Sequence, residues 1–145
     1  CRKGVDWPAV KRASEPCAMF THRTIGSNES PRSQAFYNAV FAALDIPPCD
    51  ITSMGRLIYS HRGVSLIVTK PLDGKPATPA NGGTIGFAAT SPAMVDAWHK
   101  AGVANGGTAI ENPPGVRETR VGPLYLAYLR DPDGNKLCVG CRATA

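Results

Sequence analysis

The feature that most constrains this chain is that it states one supersecondary pattern twice. A short run rich in Thr and Ile at 20–26 (FTHRTIG) precedes Ser30-Pro31, and a second at 84–90 (TIGFAAT) precedes Ser91-Pro92. Each Ser-Pro pair is a helix start, because Ser can accept from the free N–H groups of the first turn and Pro is tolerated at the first helical position. Behind the first start, Phe36, Ala39, Val40, Ala43 and Leu44 recur at helical spacing; behind the second, Met94, Val95, Trp98 and Ala101 do so. Pro47-Pro48 ends the first helix and the ANGG run at 104–107 the second. Each half then reads as a hairpin: RLIYS, the turn HRG and VSLIVTK over 56–70, and LYLAYLR, the turn DPDG and NKLCVGC over 124–141.

The period of about 60 residues marks an internal duplication. It predicts an α+β domain over 19–145, with module 1 at about 19–72 and module 2 at about 82–142. Residues 1–18 break the pattern and are expected outside the core as an N-terminal extension. Two tandem βαβββ modules would each cover one sheet face with their own helix and leave the other to the sister module or a second subunit. Set side by side, the two sheets are expected to form an open, barrel-like mixed sheet around a cleft, where a small ligand would bind.

Composition narrows the function classes. Hydrophobic residues at 43% and charged residues at 19% are ordinary globular usage, which excludes a disordered chain. No apolar run approaches the roughly 18 to 20 residues of a membrane span. The net charge of +5 includes +2 from Arg2, Lys3, Lys11 and Arg12 against Asp6 and Glu15, leaving +3 on the repeated region without a basic stripe. Neither nucleic acid nor membrane is therefore expected as a partner. The five cysteines form an odd set without framework spacing, so reduced thiols and a cytoplasmic location are expected. Cys138 and Cys141 form a C-x-x-C on what reads as the last strand, not at the strand-to-helix turn of a redox site.

Three local marks give the duplication a family likeness: His22 two residues before Thr24-Ile25-Gly26, the stretch Arg32-Ser33-x-x-Phe36-Tyr37, and Asp131-Pro132-Asp133-Gly134-Asn135. In this order, over about 19–142, the chain resembles the vicinal oxygen chelate superfamily of glyoxalase I, extradiol dioxygenases, fosfomycin-resistance enzymes and bleomycin-resistance proteins. In its metal-dependent members, His or Glu side chains on equivalent strands hold a divalent cation whose open positions bind neighbouring substrate oxygens. The resemblance places those ligand positions at His22, at or near Leu66, at Thr84 and at Cys138. Only His22 is a typical ligand, so no metal or other cofactor is expected; a divalent metal belongs to the alternative reading.

What remains is a set of cleft candidates: His22, Thr84, Cys138, Leu66, Tyr128 and Arg120, with His22 a possible general base. Of Tyr125 and Tyr128, strand alternation lets only one face the cleft. Arg117 and Arg120 fall where the cleft mouth should be, and guanidinium groups suit anionic ligands. His61 in a hairpin turn and His99 beside Trp98 read as surface or packing residues. The expected function is binding of a small organic molecule in the inter-module cleft, as in the bleomycin-resistance branch. The alternative is a metal-dependent glyoxalase-like lyase or extradiol-dioxygenase-like enzyme. The resemblance also implies a homodimer.

Overall fold

A computed structural model describes residues 19–143, so the expectation for residues 1–18 lies outside the described residues. The chain runs β1 (His22–Gly26), α1 (Ser30–Ala42), β2 (Leu57–His61), β3 (Val64–Thr69), β4 (Ile85–Ala88), α2 (Pro92–Ala104), β5 (Thr108–Ala109), β6 (Gly115–Arg117), β7 (Leu124–Arg130) and β8 (Lys136–Arg142). Both Ser-Pro pairs open helices, and both hairpins form. Only Ser91 caps, accepting from the Met94 N–H at 3.3 Å. Glu29 holds the N-cap position of α1, and the Ser30 hydroxyl donates instead to the Gly55 carbonyl at 2.7 Å.

The halves share a β-α-β-β unit with the same pairing. In the first, β1 runs parallel to β3 and β3 antiparallel to β2; in the second, β4 runs parallel to β8 and β8 antiparallel to β7. They differ outside it. β5 and β6 pair with β7 along its outer side, whereas β2 ends its sheet. In place of the expected two tandem βαβββ modules, the described residues form a three-stranded sheet of order β1-β3-β2 and a five-stranded sheet of order β4-β8-β7-β5, with β6 also on β7. Between α1 and β2 the chain spends its residues on Pro47-Pro48, which cannot donate to a ladder, and on a loop tied to α1 by Cys49 N–H donating to Asn38 Oδ1 at 3.1 Å.

The strands do not merge into one mixed sheet, since no strand of the first sheet pairs with one of the second. The two sheets are joined through their helices and a shared core. Phe41 on α1 packs edge-on to Tyr59 of the first sheet and to Phe87 of the second, at centroid distances of 4.8 and 5.2 Å. Because α1 serves both, its buried face is Phe36, Tyr37, Val40 and Phe41, while Ala39 and Ala43 of the expected stripe are only partly buried.

A polar clamp also crosses between the halves. The Tyr37 hydroxyl donates to Asp131 Oδ2 at 2.6 Å, and Asp131 Oδ1 accepts the N–H groups of Asp133 and Asn135 at 3.0 and 2.8 Å. Asp133 accepts from the Asn28 N–H and the Arg32 guanidinium, both at 3.0 Å, and from the Ser33 hydroxyl at 3.2 Å. Asn135 closes the loop by donating to the Gly26 carbonyl at 3.2 Å. The buried carboxylate of Asp131 is thereby fully engaged, as burial of a charge requires.

Candidate functional site

Strand alternation assigns every site candidate a face. On the second sheet Ala127, Leu129, Leu137 and Val139 are buried against the helices, so Leu126, Tyr128, Lys136, Cys138 and Gly140 point to the uncovered face. Register sets Gly86, Cys138 and Tyr128 in one cross-strand row. A Cβ on Gly86 would meet nothing within 4 Å, so this row has open space above its first position. Thr84 is exposed one residue before β4, in phase with Gly86.

Tyr128 lies directly across from Cys138, whose thiol donates to the Val139 carbonyl at 3.7 Å, and the row carries charge at its rim. Burial pushes the Cys138 thiol above its ordinary pKa, and the Glu111 carboxylate adds to this; the Tyr128 hydroxyl and the Lys136 ammonium oppose both. The result is a neutral thiol at neutral pH. Lys136 pairs with Glu111 and lies over the Tyr128 ring, its Nζ 5.1 Å from the centroid. Burial, then Cys138, raises the Tyr128 phenol. Neither Lys136 nor Glu111 stood out in the sequence, because Glu111 comes from a loop 25 residues away from its partner.

The first sheet presents a second uncovered face. His22, Ser65 and Ser60 form one row, with the two serine hydroxyls 2.8 Å apart and His22 Nδ1 3.0 Å from the Thr21 hydroxyl. Leu66 is not on this face: it is 7% exposed and packs with Val68 in the helix-side core, and its neighbours Ser65 and Ile67 face outward. A strand's two-residue period makes that one-position difference decisive. His22 therefore stands on one sheet and Cys138, Tyr128 and Thr84 belong to the other, with no strand pairing between them.

The remaining candidates fall elsewhere. Arg117 donates to the carbonyls of Pro113 and Asn112, at 2.7 and 3.1 Å, and so holds its own loop together. Arg120 is exposed between β6 and β7. The Tyr59 hydroxyl donates to Asn38 Oδ1 at 2.8 Å, and Tyr125 turns to the helix side, donating to Asp96 of α2 at 3.0 Å. Burial lowers the pKa of His99 on α2, as for a packing residue, and His61 is exposed at the hairpin.

A family-type divalent site would need donors these positions do not supply. The outward side chains at the family's positions are one imidazole, one threonine hydroxyl and one thiol, with a buried leucine at the fourth, and catalytic sites of this kind need three or four ligands. Among the described residues no three His, Cys, Asp or Glu side chains converge. These residues do not fit such an ion.

Comparison with known proteins agrees with the fold. The chain is similar to a glyoxalase/bleomycin resistance protein from Albidiferax ferrireducens T118, at 49% identity and a TM-score of 0.83, over 86% of this chain and 100% of that one. In fold alone it is similar to a lactoylglutathione lyase from Agrobacterium tumefaciens (22% identity, TM-score 0.59, over 87% of this chain and 95% of that one). A glyoxalase-related enzyme from Fulvimarina pelagi shares the fold likewise (18%, TM-score 0.65, over 86% and 88%). No family model and no curated protein matches the sequence.

Proposed function

Because the chain belongs to the glyoxalase/bleomycin resistance family of the vicinal oxygen chelate superfamily, we propose that it binds a small organic molecule on its uncovered sheet faces without a family-type metal centre. The observation that carries this reading is the row Gly86, Cys138, Tyr128: a place without a Cβ, a neutral thiol and an aromatic ring on a face that neither described helix covers. Such a row supplies area for stacking and a few orienting polar groups, which is what a small-molecule site needs. The row itself holds no candidate general base; His22 stands on the other sheet, so its role as a base would require substrate to reach the first sheet.

The same reading assigns a homodimer. The unpaired edges of β1 and β4 and the two uncovered faces can be brought together by a second copy, which would set the His22 face of one chain against the Cys138 face of the other. The test is a thermal-shift screen of small aromatic, carboxylate and thiol-conjugated compounds, run with and without EDTA. A ligand that binds the native state raises the melting temperature. The expected result is a rise that survives EDTA; a rise seen only with added divalent metal would support the lyase or dioxygenase reading instead.

A further inference from the structure

Glu111 is held in an uncommon backbone conformation. It is a non-glycine residue at φ 59°, in the sparsely populated left-handed region. The contact on its side chain is the ion pair to Lys136. Lys136 in turn lies over the Tyr128 ring, and Tyr128 sits directly across from Cys138, with Gly86 on the far side. An ammonium, a ring, a thiol and an open position thus share one end of the uncovered face. Both ends of the ion pair remain reachable from solvent, their side chains being 27% and 43% exposed.

Building on the small-molecule reading above, we propose that Lys136 is the anion-recognising group of this face, that Glu111 is its displaceable internal counter-ion, and that the ligand is a flat aromatic carrying a carboxylate or phenolate. Two observations converge. The ring of Tyr128 and the Cβ-free position at Gly86 suit a planar molecule. Lys136 sits over that ring already paired with a carboxylate, so an incoming anion replaces one carboxylate by another and the ammonium is never left unpaired; a neutral ligand has no such exchange available. Exposed ion pairs contribute little in water, so opening this one is cheap.

The experiment is an NMR titration of the full chain with benzoate and with benzamide, following the backbone amides of Gly86, Cys138 and Gly140. Benzoate should move these amides and bind about threefold more tightly than benzamide, the scale of one partly exposed charge pair. Lys136→Met, its fold verified by an unchanged dispersion of amide shifts, should bring benzoate down to the benzamide level. Glu111→Gln should tighten benzoate by about threefold, since a weak competing anion is removed. A merely structural ion pair predicts the opposite, weaker binding in both variants. If both ligands move the amides with equal affinity, or Glu111→Gln leaves benzoate binding unchanged or weaker, the counter-ion proposal fails while the small-molecule reading stands. If neither moves them at millimolar concentration, both are overturned.

Discussion

Asp131 and Asp133 occupy one hairpin turn, yet their partners lie about 100 residues earlier, on and just before α1. Removing the Tyr37 hydroxyl in Tyr37→Phe leaves a buried carboxylate oxygen short of a donor, which costs about 1–3 kcal/mol. Arg32→Ala should cost less than about 1 kcal/mol, because the guanidinium is half exposed and screened. Urea unfolding of the two variants measures both. Burial alone would raise the Asp133 pKa; the Asn28 N–H and the Arg32 guanidinium outweigh it and hold the carboxyl below its ordinary 3.8. A depressed folded-state value means this contribution is present above pH 3.8 and fades as pH falls through the lower folded value, so acid unfolding of Asp133→Asn should be shallower there. The raised thiol of Cys138 predicts slow alkylation at neutral pH, with a midpoint above 9.0 in a rate-against-pH profile. Of these residues, Asn28 and Cys138 lay outside the three marks that gave the chain its likeness, while Arg32, Tyr37, Asp131 and Asp133 lay inside them. Their roles did not, because spacing shows that Tyr37 and Asp131 recur in a pattern while only the tertiary register makes them meet.

At the scale of elements, periodicity located both helices and both hairpins to within a few residues, since amphipathic spacing and Ser-Pro starts are local signals. It missed β5 and β6, two and three residues long, whose Pro- and Gly-rich surroundings read as loop. It found Phe36 and Val40 of the buried face of α1, and Leu44 just past its end, but left out Tyr37 and Phe41, because a helix serving two sheets buries a wider arc than a single stripe reveals. The packing of α2 against β7 and α1 depends on Gly102. A Cβ there would meet Leu129 Cδ1 at 2.2 Å and Val40 Cγ1 at 3.2 Å. Gly102→Ala should therefore destabilise the protein by about 1–3 kcal/mol through overpacking, although alanine is the better helix former by about 1 kcal/mol. Thermal unfolding that rises instead would show that the two helices can separate without loss. The Leu66 position carries the same lesson for the site: a family-derived position off by one residue lands in the core.

For the whole molecule, the duplication was legible and the joining of its halves was not. A repeat specifies two similar units, but whether their sheets merge at an edge or meet through helices depends on long-range packing such as that of Phe41 with Tyr59 and Phe87. With the sheets unpaired, the residues the family uses stand on separate sheets, which makes a second copy the natural complement. Light scattering should give the mass of a dimer at micromolar concentration, and a monomer would remove the composite cleft. With Leu66, Thr84 and Cys138 standing where ligands would be needed, the protein should bind its small molecule without a divalent centre. Elemental analysis of protein purified without chelator, alongside His22→Ala, tests this. The expected result is far less than one Ni, Zn, Fe or Mn ion per chain in both proteins; near-stoichiometric metal that disappears in His22→Ala would show a metal centre instead.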